Sequence, residues 1–343
     1  MKPFDSLRSP SGLRWFLTVA ALVVPHVVQA QSWQATVGAQ SSNKARQALA
    51  FLPDEIWIHA GDSITWKVTT DEAHTVTFLK PSTPAQVRPP FPVGCPGATA
   101  DGSPFDGTAC VNSDVMVSGQ TFTVTFPTAG NYKLVCLIHR NMTGTVHVFP
   151  LSEALPHHQH FYDEEAEDEQ RDLLSDRDSD EGHGRPSVHS ASAHSHGQVT
   201  AGTGEIVATP GGSQTLSVMR FDEPAIVIHA GEIVEWTNSD PATAHTITFG
   251  AQPANPIPPS SNVTLDADLA RHAVINLPTD NVHSGFIVAA LQERIGLVQS
   301  PLPPLPGGTV TRFRVTFPHA GTFPYLCALH DGLGMTGKVI VLP

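Results

Sequence analysis

Four cysteines, eighteen histidines and five methionines are the side chains of this 343-residue sequence best able to bind a metal or act as a nucleophile. Two of the cysteines open clusters of similar spacing, Cys136-Leu-Ile-His139-Arg-Asn-Met142 and Cys327-Ala-Leu-His330-Asp-Gly-Leu-Gly-Met335. Each cluster follows a distant histidine, His74 or His245, that precedes Thr-aliphatic-Thr-Phe. One thiolate, two imidazoles and one thioether form the donor set of a type 1 copper site, in which two nitrogens and the thiolate make a trigonal plane and the thioether is a weak axial ligand. Soft sulfur favours Cu(I) and imidazole suits both oxidation states, so such a site changes little when an electron moves. A lone Cys or Met on a strand is ordinarily core filling. Here the same four residue types recur in the same order in two copies, which favours ligation. His59 and His229 also recur, but each precedes Ala-Gly in a tight turn and is assigned to that turn.

The segments that must position these residues are duplicated as well. Phe51–Phe78 and Phe221–Phe249 share the frame Phe, Ile-His-Ala-Gly, Trp, His-Thr-aliphatic-Thr-Phe. Phe122–Val148 and Phe313–Val341 share Phe-x-Val-Thr-Phe-Pro-x-Ala-Gly, Cys-x-x-His and Met-Thr-Gly. Apolar and polar residues alternate in Glu55-Ile-Trp-Ile, Ser63-Ile-Thr-Trp-Lys-Val and Thr121–Phe126, with Gly and Pro between them, which predicts short strands in a β-sandwich. Each unit carries an insertion between its halves. Pro81–Asn112 contains Cys95 and Cys110, whose disulfide would be worth roughly 3 kcal/mol; a two-cysteine metal site is the alternative. Ala251–Gly308 has no cysteine, and Leu265–Ala273 within it reads as a short helix.

Composition narrows the function. A net charge of −13 argues against binding nucleic acid through its phosphates. Residues 1–30 read as a secretory signal: Lys2, Arg8 and Arg14, an apolar run Trp15–Val24, then Val28-Gln29-Ala30 before cleavage. No other stretch is long and apolar enough to span a bilayer. The mature chain is thus expected in the periplasm or outside the cell, where disulfides persist. Residues 151–200 hold twelve acidic residues against three arginines, together with seven histidines (His157, His158, His160, His183, His189, His194 and His196). This run reads as a disordered acidic linker between domains at 31–150 and 201–343. Its histidines could hold Cu(II) loosely, so copper storage or delivery is the alternative function.

The two units resemble cupredoxins of the plastocyanin, amicyanin and pseudoazurin type. Cys-x-x-His-x-x-Met in the first unit is similar to the amicyanin and pseudoazurin loop, and Cys-x-x-His-x-x-x-x-Met in the second to the plastocyanin loop. The resemblance implies an all-β chain of two Greek-key sandwiches, with copper held by His74, Cys136, His139 and Met142 and by His245, Cys327, His330 and Met335. It also implies electron transfer with redox partner proteins that dock at exposed edges of His139 and His330. Leu137, Ile138, Ala328, Leu329 and Leu333 would frame an apolar docking patch. The family commonly has Asn after the first histidine, where this chain has Thr75 and Thr246. Two-domain copper oxidases and nitrite reductases need further ligands, His beside the blue-site Cys and His-x-His pairs. Val135 and Leu326 precede the cysteines here, and neither His74 nor His245 belongs to a His-x-His pair. The chain therefore reads as a carrier and not an enzyme, with His272 and His283 in the long insertion as the residues that could supply an interface metal. Nothing in the sequence specifies an oligomeric state.

Overall fold

Strands form where the alternation places them, because each sheet has one face to bury and one to solvate. The computed structural model describes residues 30–81, 95, 97–175, 197–290 and 309–343. The signal expected over 1–30 lies outside these except for Ala30, as do His183, His189, His194 and His196.

The first unit is two packed sheets. One runs Arg46–Leu52, Ser32–Gln40, Ser63–Val68, Thr121–Thr125, and the other Glu55–His59, Thr143–Phe149, Gly130–Val135, Thr77–Phe78, Val111–Asn112. Ser32–Gln40 is parallel to Ser63–Val68 and antiparallel to Arg46–Leu52, and Glu55–His59 is parallel to Thr143–Phe149. These crossing connections are those of a Greek-key sandwich. The repeat builds the same pattern in the second unit. Ser213–Phe221, Gly197–Ala208, Ile233–Ser239 and Arg312–Thr316 form one sheet, extended by Arg271–Val274 and Thr264–Leu265. Ala225–His229, Thr336–Leu342, Gly321–Leu326, Thr248–Phe249 and Val282–His283 form the other. Repeated tryptophans fill the centre of each core. Trp66 lies against Phe78 and Phe126, and Trp236 against Phe249, Phe313 and Tyr325.

The two sandwiches share a sheet. Arg46–Leu52 of the first pairs antiparallel with Ser213–Phe221 of the second, in the register Leu49 opposite Thr215 and Arg46 opposite Val218. The joint continues in polar contacts. The Asp54 carboxylate accepts from the Gly211 N–H at 3.1 Å and from the Thr209 hydroxyl, and the Thr145 hydroxyl donates to the Gly211 carbonyl at 2.7 Å.

Two expectations change. The acidic run is not wholly an extended linker: Gln159–Leu174 is a 16-residue α-helix packed on the first unit. Tyr162, Ala166, Glu169 and Leu173 recur at helical spacing and face inward, while the remaining acids face water, where solvent screens their repulsion. The Tyr162 hydroxyl donates to the Trp57 carbonyl at 3.0 Å and accepts from the Trp57 N–H at 2.9 Å, and Leu173 joins Ala39, Ala48, Ala50 and Leu52. The stretch Leu265–Ala273 is not a helix but part of a hairpin, with Leu265 opposite Arg271 and a turn in which the Asp266 N–H donates to the Ala270 carbonyl. Cys95 and Cys110 form the disulfide.

Candidate metal centres

Each upstream histidine is held by chain that lies between it and its cysteine. The His74 and Met116 backbones exchange two hydrogen bonds of 3.0 and 2.8 Å, and His245 and Ile287 do the same at 3.0 and 2.8 Å. Ser113 and Ser284 repeat a second brace, their hydroxyls accepting from the Val76 and Ile247 N–H groups at 2.9 and 2.8 Å. The unusually long separation between each upstream histidine and its cysteine is therefore spanned by chain that returns to clamp the histidine.

Each cysteine sits at the end of a strand, and the following loop closes back on it. The Cys136 N–H donates to the Met142 carbonyl, and the Cys327 N–H to the Met335 carbonyl, both at 3.0 Å. The shorter loop turns through Asn141 at φ 57°. The two extra residues of the longer loop are taken up by a 3-10 turn at Asp331–Leu333, ended by Gly334 at φ 93°. Different lengths thereby return to the same closure.

The donor atoms converge in both units. His139 Nδ1 lies 3.2 Å from His74 Nδ1 and 3.7 Å from Cys136 Sγ. His330 Nδ1 lies 3.1 Å from His245 Nδ1 and 3.4 Å from Cys327 Sγ, and Cys327 Sγ is 3.9 Å from His245 Nδ1. A trigonal plane with nitrogen at about 2.0 Å and sulfur at about 2.3 Å from a metal has edges of about 3.5 and 3.7 Å. The donor sets fit that plane closely. Met142 and Met335 are fully buried. Among the described residues, these two His-Cys-His groups are the clusters able to hold a metal ion.

Thr75 and Thr246 explain the missing asparagine. Their backbone N–H groups donate to Cys136 Sγ and Cys327 Sγ, each at 3.4 Å. Their hydroxyls accept from the N–H groups of Leu137 and Ala328 at 2.8 and 2.7 Å, tying the upstream histidine segment to the cysteine loop. The threonines thus support both the thiolate and the loop that carries it.

The electrostatics favour a thiolate at each centre. Burial pushes the Cys136 thiol up, but hydrogen bonds to His139 and His74 outweigh it and hold the group well below its usual range. Burial likewise opposes ionisation of Cys327, and the His330 charge with the His245 and His330 hydrogen bonds overcomes it. Burial lowers His74. His245 is raised despite burial, because Asp240 stands 3.7 Å from its Nε2 and Cys327 lies on the other side. His139 is raised to about 9 against burial by Cys136 and Glu72.

Three contributors went unread in the sequence. Gly38 and Gly202 sit in β-bulges at φ 68° and 76°, directly beneath the rings of His74 and His245. Their signal was a repeated Thr-x-Gly ahead of each core, Thr36-Val-Gly38 and Thr200-Ala-Gly202. Glu72 is the third. Its carboxylate oxygens lie 3.3 Å from His139 Nε2 and 3.5 Å from His330 Nε2, so one side chain touches both centres. At His139 the separation is that of an ion pair, although the angle is off-line for a hydrogen bond. Burial raises Glu72, but the His330 charge and the contacts with His139 and His330 hold it well below the usual carboxylate range.

This arrangement corrects the expected docking site. His139 and His330 are only 1% and 2% exposed, because the two metal ends face each other across Glu72. Of the expected apolar patch, Leu137 and Leu333 are buried, and Leu329 reaches the surface at 36%. His272 and His283 do not line an interface metal site. The ring nitrogens of His272 engage Asp266 and Thr316, and those of His283 engage Thr248 and the Pro256 carbonyl. Of the acidic run's histidines, His157 stacks on Phe161 with ring centroids 3.6 Å apart, and His160 lies 3.8 Å from Glu164.

Comparison with known proteins places both units in one family. The profile of the family described as copper binding proteins, plastocyanin/azurin family, matches residues 38–149 and 210–342. A plastocyanin from Synechococcus sp. (strain JA-2-3B'a(2-13)) is 26% identical over 121 residues, which are 35% of this chain and 62% of that protein. The match thus spans under two thirds of that relative's length. Among solved structures, amicyanin from Paracoccus versutus is 22% identical, covering 38% of this chain and 90% of its own, with a TM-score of 0.24. A reduced amicyanin variant is 21% identical, covering 34% and 82%, with a TM-score of 0.23.

Proposed function

Because this chain belongs to the plastocyanin/azurin family of copper-binding proteins, we propose that it is an exported electron carrier with two type 1 copper sites. His74, Cys136, His139 and Met142 hold the first, and His245, Cys327, His330 and Met335 the second. Copper bound there supplies reversible one-electron chemistry between Cu(I) and Cu(II). The residues do the rest. Each pocket offers one thiolate and two imidazole nitrogens already converged, so little ligand movement accompanies a change of charge. Met142 and Met335 are fully buried, and the Thr75 and Thr246 N–H groups hold the thiolates in place.

The observation that carries this reading is the duplication of geometry. Two pockets built from separate stretches of sequence repeat the same donor atoms, the same threonine brace and the same loop closure. The carrier reading is favoured over an enzyme because His272 and His283 have both ring nitrogens engaged within their own unit. Export is supported by the signal-like leader and by the Cys95–Cys110 disulfide, which persists in oxidising compartments. Among the described residues, no helix is long and apolar enough to cross a membrane. One-electron redox proteins are the partners this chemistry requires.

Single substitutions test the assignment. Cys136→Ser and Cys327→Ser should each abolish one intense thiolate-to-copper absorption band and leave the other. Loss of both bands from one substitution, or of neither, would overturn the assignment of independent ligand sets.

A further inference from the structure

Glu72 has no counterpart in the repeat. Glu72-Ala-His74 in the first unit corresponds to Thr243-Ala-His245 in the second. The two units otherwise repeat their cores, ligand candidates and threonine braces, so this acid belongs to the junction between them and not to the shared fold. It is buried, and a buried carboxylate is tolerated only with compensating partners. Its two oxygens each face one imidazole, His139 of its own unit and His330 of the other.

The junction is built to hold that placement. The Glu72 N–H donates to Thr70 Oγ1 at 3.2 Å, and the Thr70 hydroxyl donates to Gln47, on the strand that pairs with the second unit. Arg220 of the second unit donates to the Asn43 carbonyl of the first at 2.8 Å and to the Leu333 carbonyl, within the second metal loop, at 2.7 Å. The second loop is therefore pinned to the first unit from both sides.

A carboxylate beside Nε2 also decides the tautomer. It favours the proton on Nε2 and leaves the Nδ1 lone pair facing the cysteine sulfur. One side chain does this for both loop histidines. The result is a chain of polar groups, His139 ring, carboxylate, His330 ring, with separations of 3.3 and 3.5 Å between its members. Electronic coupling falls more slowly through bonded and closely contacting polar groups than through open space.

We propose that Glu72 is a positioning residue that joins His139 and His330 into one bridge, across which the two copper sites of a single chain exchange electrons. The inference rests on the carrier reading above. With copper in both sites, the ion of lower potential would be oxidised and the other reduced by one electron. No covalent bond forms or breaks, and the protons on the two Nε2 atoms stay in place. The chain is then a two-electron relay with an internal wire, in place of two separate carriers on one polypeptide.

The test uses the copper-loaded full chain and Glu72→Gln. Glutamine keeps the volume, but it is uncharged, presents an oxygen to one ring only, and sets its amide against the other N–H. A radiolysis pulse generates a one-electron radical reductant, and re-equilibration between the two thiolate bands is followed by absorbance. In Glu72→Gln both bands should persist and the exchange should slow by about tenfold. Both bands with an unchanged rate would overturn the bridge and leave the carrier reading intact. Native protein without thiolate bands would overturn the carrier reading, and the bridge with it. A second readout covers a variant that fails to hold two coppers. In native Cu(I) protein labelled with nitrogen-15 histidine, His139 and His330 should both carry their proton on Nε2, and both protons should be slow to exchange with water. Rapid exchange at either ring would overturn the bridge.

Discussion

Replacing Gly202 by alanine should damage the second centre selectively, and the structure gives the size of the effect. Gly202 sits at φ 76° in the bulge beneath His245. A Cβ there would meet His245 Nε2 well inside contact distance, with Cδ2 at 2.6 Å and Cε1 at 2.9 Å. The ring is fully buried and is braced by the His245–Ile287 backbone pair, so it has little room to yield. Alanine in the left-handed region costs about 1–2 kcal/mol by itself. Overpacking a rigid core site adds about 1–3 kcal/mol. The sum is about 2–5 kcal/mol, and relief requires the His245 ring to shift from its place beside Cys327 and His330. Gly231→Ala is the matched control, since Gly231 lies at φ 88° and its added Cβ would meet nothing within 4 Å. Denaturant melts of the metal-free chain and spectra of the copper-loaded chain separate the two terms. Gly202→Ala should lose more stability than Gly231→Ala and should shift or abolish the second thiolate band while leaving the first. Equal stability losses with two intact bands would refute the claim that this glycine makes room for the ligand ring.

Three further outcomes follow from other parts of the structure. Burial and the neighbouring Asp54 raise Glu169 to about 9, so the native state keeps a proton that the unfolded chain releases near the ordinary carboxyl value. Stability should therefore fall as pH rises between those values. Glu169→Gln should flatten that slope and stabilise by up to about 3 kcal/mol at pH 7 in urea melts; parallel slopes would contradict it. Thr75→Val leaves the buried Leu137 N–H without its acceptor and should cost about 1–3 kcal/mol in the metal-free protein, measured by thermal or denaturant unfolding. Tyr162→Phe removes both bonds to the Trp57 backbone and should loosen the helix, seen as faster limited proteolysis within Gln159–Leu174 while the β-sheet circular dichroism is unchanged.

The sandwich and the converging His-Cys-His groups were legible because both are written locally and twice. Trp66 and Trp236, the Thr-aliphatic-Thr-Phe strands and the Cys-x-x-His loops each repeat in order, and duplication separates a functional pattern from chance. The helix was hidden for a physical reason. Its inward stripe is only Tyr162, Ala166, Glu169 and Leu173, and the surrounding acids give the segment the composition of a solvated tail. Glu72 was hidden for another. Its significance depends on how the second unit sits against the first, which is set by strand pairing between Arg46–Leu52 and Ser213–Phe221, far apart in sequence. The same geometry buries the two loop histidines whose edges the family resemblance places at the surface. Gly38 and Gly202 show a third limit, since a glycine reports a missing side chain only once its neighbour is known.

The central claim is that each unit closes a thiolate and two imidazoles around one copper. It is tested most directly by loading the purified full chain with Cu(II), then measuring copper per polypeptide together with the visible and electron spin resonance spectra. Two coppers per chain are expected, with intense thiolate-to-copper absorption and two signals with the narrow copper hyperfine splitting of type 1 sites. A colourless protein, or copper bound with only the wide splitting of nitrogen and oxygen ligation, would contradict it.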